Sequence, residues 1–388
     1  MGYIIFYLKR AFKSRLTWGL FFFVLLISFY SLYQNSNEGD QNSLQSQLQY
    51  QQKSLFKTIY VDKQSLRSAK KGSEKARRLT AELRESQKQE KEVRSLLRDL
   101  KDQNYTKPYQ YEIKSLKNDM QEAKQDEKAN ADIIISGKAK IIYYRYLMQH
   151  NLADQGEDSP VQSWTFLIDF SQYILPIILS FTLTFILVEN FSRRFKERID
   201  IEGMFPAVSR FGANISQLLA GLVLTFALLA GFYLVIILIT GVTGSFGSFD
   251  YPIRTYVNNH ASRSQYVAAG TVLAKSLILQ LLFLISLTQG VQLIVRLLKN
   301  NFAALFTSLL ITVALPILPF LIVPMASWAQ WLPTTYLFST LTVTGNFGSQ
   351  LNNAQLTFNH GVLMLSVVAL VLLVFAFVLD KMGNIGRE

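Results

Sequence analysis

The chain has 388 residues, a formal charge of +12 and no cysteine, which excludes disulfides, thiolate metal sites and cysteine nucleophiles. Its 50% hydrophobic content is divided between a very apolar C-terminal half and a polar insert, and this contrast limits function more than any average does. The three histidines, His150, His260 and His360, lie far apart without metal-ligand spacing, and no nucleic-acid module is readable despite the basic balance, so neither a metal nor nucleic acid is expected.

In chain order, 1–15 alternates bulky apolar residues (Tyr3, Ile4, Phe6, Tyr7, Phe12) with Lys9, Arg10, Lys13 and Arg15. This predicts an amphipathic helix at a membrane surface. The competing reading is the charged start of a secretory signal. The apolar run that follows, 16–33, is long and lacks a small-x-small cleavage site, which favours a retained anchor.

Residues 34–164 are polar, rich in Lys, Glu and Gln, and helical in character. A three-four spacing through Ile113, Leu116, Met120, Ala123, Asn130, Ile134, Ile141, Tyr144 and Met148 predicts a helix with one apolar stripe. A thinner stripe precedes it, interrupted at Gly72-Ser73, and Asn104 to Pro108 reads as a turn. The expectation is an antiparallel helical hairpin, reaching roughly 45 to 60 Å at about 1.5 Å per residue. The alternative is a solvated, partly disordered spacer.

Five further apolar segments follow in 165–388: about 165–188, 217–242, 266–295, 302–325 and 361–379. Each meets or approaches the roughly 20 residues that a helix needs to cross about 30 Å of hydrocarbon. The predicted fold is therefore an all-α membrane protein. It has six transmembrane helices and an extracellular helical-hairpin insert between the first two. Lys and Arg gather at the N-terminus, between spans two and three (Arg193, Arg194, Lys196, Arg198, Arg210), between spans four and five (Arg296, Lys299) and at the C-terminus. By the positive-inside rule both termini are cytoplasmic and the insert is outside.

Within the apolar segments, Lys275 and Asp169 are candidates for a pair or for a hydrated route. An unpaired charge at mid-membrane costs at least ~2.5 kcal/mol, and a lysine can also snorkel to the interface. Ser286, Gln289, Gln292 and Arg296 share one face of span four, either as a packing seam or as part of a transport route. Pro316, Pro319 and Pro324 distort span five. The uncharged stretch 326–360, with Trp328, Trp331, Pro333 and Tyr336, reads as a re-entrant segment that forms an outer gate.

The loop 189–216 interleaves charges of both signs with Phe191, Phe195, Ile199, Met204 and Phe205, and Pro206 opens the next helix. It reads as an amphipathic docking element, or more simply as a solvated loop carrying topology charges. Its ending, Phe205-Pro206-Ala207-Val208-Ser209-Arg210, is similar to the Pro-Val-Ser-Arg stretch that leads into span three of ABC-2 type transporter permeases. Glu202-Gly203-Met204 stands where that family has an acidic-Gly-Thr element, and Trp331-Leu332-Pro333-Thr334-Thr335-Tyr336 resembles its Leu-Pro re-entrant segment.

With six spans and an amphipathic N-terminus, the chain resembles that family over nearly its whole length apart from the insert. A large outside insert after span one is similar to the family's sodium- and drug-efflux branch. The resemblance implies an exporter permease that works as a dimer in the lipid bilayer of the cell membrane, with a second copy or a paralogue. It also implies a separate cytoplasmic ABC ATPase that binds ATP and Mg. This chain lacks a Gly-x-x-x-x-Gly-Lys-Ser/Thr loop and is not itself expected to be an enzyme.

The resemblance assigns ATPase coupling to Phe191, Arg193, Arg194, Phe195, Glu202, Gly203, Phe205, Pro206, Ser209 and Arg210. The transport route or gate is expected among Asp169, Lys275, Gln289, Gln292, Pro316, Pro319, Trp331, Pro333 and Tyr336. The alternative from another class is a non-transporting scaffold or receptor that acts through its extracellular hairpin.

Overall fold

The computed structural model describes residues 2–70, 73–126, 130–157, 159–196, 210–260 and 262–385. The chain divides into two compact units, one formed by Met1–Leu32 with Gln162–Glu388 and the other by Tyr33–Val161.

The larger unit carries the apolar helices. Among the described residues six helices are long and apolar enough to cross a membrane: Arg15–Asn37, Ile174–Arg193, Phe211–Thr243, Ala269–Leu298, Asn301–Leu321 and Phe358–Lys381. They are called spans one to six below. A short amphipathic helix, α1 (Gly2–Lys13), precedes them. Its Tyr7 packs with Ala213 and Ala220 of span three, flanked by Ile4, Phe6 and Leu8. Helix α2 (Arg15–Asn42) follows after a single residue. The Trp18 indole donates to the Phe12 carbonyl at 2.7 Å, filling an acceptor that the end of α1 leaves open.

Proline determines where two spans break. The expected second span is divided into Ser163–Phe170 and Ile174–Lys196. Pro176 sits in the first turn of the second piece, where a missing N–H does no harm, and its ring would clash with the carbonyl four residues earlier in a continuous helix. Span five runs as Asn301–Leu309, a π-helical stretch Leu310–Ala314, and Leu315–Leu321, with Pro316 at its second break and Pro319 inside the last piece.

Span four is the centre of the unit and packs against spans two, three, five and six. Leu279, Leu284, Leu287, Val291 and Val295 from span four join Leu183, Leu187, Leu224, Phe232 and Leu365 in one buried core. Phe21 of span one stacks on Phe232 with ring centroids 4.4 Å apart.

The expectation of an all-helical chain needs one correction. Between spans three and four, Pro252–Tyr256 pairs antiparallel with Ser264–Ala268, in the register Pro252↔Ala268 through Tyr256↔Ser264. Both strands are short and include β-favouring residues, and Pro252 occupies a strand start, where its missing donor is tolerated. Asn258 and Asn259 supply the positive φ values, 51° and 59°, of the intervening turn.

Among its described residues, every regular element of the smaller unit is helical. The unit differs from the single hairpin expected. Helix α3 (Leu44–Ser68) pairs with α4 (Glu74–Lys101), and α5 (Thr106–Ala123) pairs with α6 (Ala131–Gln149). The chain does break near Asn104, but the stripe read as one helix from Ile113 to Met148 also breaks after Ala123. Lys124, Gln125 and Asp126 supply no apolar residue there, and the Asn130 amide donates to the Ala123 carbonyl at 3.3 Å. Folding back lets Tyr109 and Ile113 bury with Ile134, Ile141, Tyr144 and Leu147. Ser43 and Ser73 cap α3 and α4.

Asp154 ties this unit together. Its carboxylate accepts from the Leu44 N–H at 2.8 Å, the Tyr143 hydroxyl at 2.7 Å and the Gly156 N–H at 3.0 Å. A carboxylate at the start of α3 also favours the helix dipole.

Nearby Glu112 has its pKa raised above the ordinary 4.5, first by burial and then by the charges of Asp119 and Asp154, with Lys140 opposing. A raised carboxylate costs the folded state stability as pH rises through the shifted value, and costs nothing at pH below 4.5, where both states are protonated. Glu112→Gln should therefore raise the unit's thermal midpoint at pH 7 and leave it unchanged near pH 3.5. Melting both forms of the full chain at the two pH values checks this.

Candidate functional site

Helix termini leave unpaired backbone groups and favour polar residues, and in this membrane unit three termini meet. Asn214 lies in the first turns of span three, Arg296 in the last turn of span four and Asp380 at the end of span six. The Asp380 carboxylate accepts from the Asn214 side-chain amide at 2.8 Å and from the Arg296 guanidinium. The Gln292 amide, one turn before Arg296, donates to the Asn214 backbone carbonyl at 2.8 Å. Asp380 and Arg296 are only 7% and 16% exposed, so this ion pair is shielded from water. A pocket of about 280 Å³ opens beside it, walled by Phe211, Leu218, Leu373 and Phe377.

The sequence placed Gln292 and Arg296 on one face of span four, and the structure brings both into this cluster. It did not single out Asp380 or Asn214. The readable signal was an acidic residue, Asp380, directly following an apolar run in Val378-Leu379-Asp380. Gln289 is not part of the cluster, and its buried Oε1 has no hydrogen-bond partner among the described residues.

A second polar seam lies between spans two and five. Pro316 has no N–H to give to the Thr312 carbonyl, and the Ser180 hydroxyl donates to that carbonyl instead, at 3.2 Å. The Thr184 and Thr312 hydroxyls are 3.1 Å apart, and Thr312 also reaches the Ser308 carbonyl at 2.8 Å. Interrupted backbone is thus satisfied by a neighbouring helix, as a hydrocarbon setting requires. Pro316 and Pro319 are both buried.

The segment between spans five and six is a chain of short helical turns. Pro333–Leu337 packs against spans two, four, five and six. Tyr336 is fully buried, and its hydroxyl donates to the Gln330 carbonyl at 2.9 Å. The Asn353 amide donates to the Ala326 carbonyl at 2.8 Å and to Gln330 at 2.6 Å. The Asn259 amide, from the β-hairpin, donates to the Asn353 carbonyl at 2.8 Å. Trp331 is half exposed and meets His360 edge to face at 4.9 Å.

Lys275 is exposed, with its ammonium 5.8 Å from the centre of the Phe358 ring, a cation–π distance. Asp169 is half-buried at the end of Ser163–Phe170. Among the described residues no ion pair joins Lys275 to Asp169.

Of the residues expected to couple to an ATPase, Phe191 is 1% exposed. A Cβ built on Gly221 would lie 2.6 Å from its ring. Phe191 is therefore a core residue wedged against span three, and its place on a docking surface is corrected. Arg193 pairs with Glu189 at 3.0 Å along the same helix. Ser192 donates to Asn301 at 2.7 Å, joining the end of span two to the start of span five. The side chains of Arg194, Phe195 and Arg210, and residues Glu202, Gly203, Phe205, Pro206 and Ser209, lie outside the described residues.

No protein-family model, no curated protein and no solved structure matches this chain.

Proposed function

We propose that this chain is the membrane-spanning permease of an ATP-driven exporter of the ABC-2 kind. A separate cytoplasmic ATPase binds ATP and Mg, and two permease copies or paralogues form the working dimer. Both termini and the segment 189–216 face the cytoplasm, and the insert is outside.

The observation that carries this reading is the seat of α1. The helix packs on span three through Tyr7, Ala213 and Ala220. Its end, at Ala11 and Ser14, lies beside Ile186, Glu189 and Arg193 of span two. These are the two helices that enter and leave the patterned loop. A force applied to that loop by a partner would thus reach spans two and three together, which supports coupling by rigid-body motion of helix groups.

The test uses membranes crosslinked in cells that express the tagged full chain. Mass spectrometry should recover an ATPase that carries a Gly-x-x-x-x-Gly-Lys-Ser/Thr loop. Phe205→Asp combined with Arg210→Glu should cut its recovery at least tenfold. Equal recovery with the double variant would remove the loop from the mechanism.

The second reading, a scaffold or receptor that acts through the insert, is favoured by one observation. On α3, Tyr50, Phe56, Tyr60 and Val61 are more than half exposed, with Lys53 and Lys57 also exposed nearby. Exposed aromatic side chains of this kind are common at protein interfaces. Recovery of an outside partner and no ATPase would support it.

A further inference from the structure

A second recess, half open to the surface, lies in the membrane unit away from the Arg296–Asp380 pair. Its volume is about 280 Å³, roughly nine times the ~30 Å³ share of one water molecule in the liquid. Helices packed to interior density leave few voids larger than a water molecule, and at this recess their packing stops short.

The walls come from three spans. Leu287 and Gly290 belong to span four, Ile311 to the π-helical stretch of span five, and Leu365 and Val368 to span six, while Pro333 lines it from the connecting segment. A Cβ built on Gly290 would meet nothing within 4 Å. A glycine inside a helix costs about 0.5–1 kcal/mol relative to alanine, and here it leaves one wall of the recess without a side chain.

The polar inventory decides what can enter. The Ser286 hydroxyl lies 3.2 Å from the Leu282 carbonyl and 3.4 Å from the Leu365 carbonyl. The Thr312 hydroxyl is taken by the Ser308 carbonyl and Thr184. Only the Thr334 hydroxyl lines the recess while lacking a partner among the described residues. Buried water typically makes about three hydrogen bonds, and an apolar cavity stays dry or takes an apolar guest. Water therefore has no reason to fill this space. The three spans around it have mean hydropathies of 2.0, 2.2 and 3.2, so the medium in reach is hydrocarbon.

We propose that this recess binds one linear hydrocarbon chain, the tail of an amphiphile. The tail belongs either to a bilayer phospholipid or to a free fatty acid. The binding site stands whether or not the chain works with an ATPase, because its evidence lies in spans four to six and the segment joining five to six.

The test uses the full chain in nanodiscs and two probes. One is a sixteen-carbon fatty acid with a mid-chain diazirine, and the other is a phosphatidylcholine that carries the same acyl chain. Photolabel should concentrate in the peptide covering 283–294, above the level at the lipid-facing Val371 and Phe375. Gly290→Leu fills the recess from an open position and should lower that labelling at least tenfold, while Gly290→Ala lowers it less. Val368→Phe fills it from span six and serves where Gly290→Leu fails to fold. Labelling by the fatty acid alone assigns the site to a free amphiphile, and labelling by the phospholipid alone assigns it to bilayer lipid; both support the site. Labelling that is unchanged in a folded filled variant, or no higher than at Val371 and Phe375, overturns it.

Discussion

Asp380→Ala should destabilise the membrane unit by about 3–5 kcal/mol, the range seen when one partner of a buried ion pair is removed. The change leaves the Arg296 guanidinium inside the protein, at 16% exposure, without its carboxylate. It also takes the acceptor from the Asn214 amide. Span six then loses its side-chain tie to span three and its ion pair with span four. Asp380→Asn should cost less, since a carbonyl oxygen still accepts from both donors. The informative partner is Arg296→Met combined with Asp380→Leu. Replacing both charges by apolar groups of similar volume is often neutral or stabilising, so the double variant should recover most of the loss. Thermal unfolding of the wild type, Arg296→Met, Asp380→Leu and the double variant in one detergent gives the coupling energy as a double-mutant cycle. Additive losses would mean that the pair is not a unit.

Tyr336→Ala should cost a similar 3–5 kcal/mol, the range for truncating a large buried aromatic. The ring is fully buried, and a Cβ added at Gly361 would meet it at 2.6 Å, with Leu279 at 3.0 Å. Tyr336 thus pins the short turns between spans five and six onto spans four and six. Tyr336→Phe separates packing from polarity. It keeps the ring, removes the hydrogen bond to the Gln330 carbonyl, and should cost only about 1 kcal/mol. Gly361→Ala pushes on the same ring from span six and should destabilise the unit with Tyr336 itself unaltered. A Tyr336→Ala protein that melts with the wild type would show that this segment is held elsewhere, through Asn353 and Asn259.

The spans were legible because the apolar runs are long and hydrocarbon thickness imposes a length. The helical character of the insert was legible because one proline and few glycines interrupt it before Pro160. Its second fold-back was not, since the Ile113–Met148 periodicity continues in phase across Lys124-Gln125-Asp126. Periodicity alone cannot distinguish one long helix from two that bury the same stripe against each other. The β-hairpin was hidden because strands of five residues carry little pattern.

At the site, Gln292 and Arg296 were readable from spacing within one helix. Asp380 and Asn214 were not, because their roles exist only once the ends of three helices meet. Phe191 was misplaced for a related reason. Aromatic residues interleaved with charge look like a docking face, but a helix that continues to Lys196 turns Phe191 toward span three. The break in span two comes from Pro176. The chain-level consequence, a separate helix Ser163–Phe170, follows from where that proline falls within its turn.

The exchange of donors around Pro316 has a mechanical consequence. The Thr312 carbonyl depends on the Ser180 hydroxyl of another helix. Sliding span five past span two by one turn, about 5.4 Å, would strip that carbonyl of its donor in a medium with no water to replace it, at a cost of several kcal/mol. The Ser192–Asn301 bond adds a second tie between the same two helices. Spans two and five are thus latched like two planks nailed at separate points. Any large rearrangement of this molecule should carry them as one piece, with its shear planes between other helices.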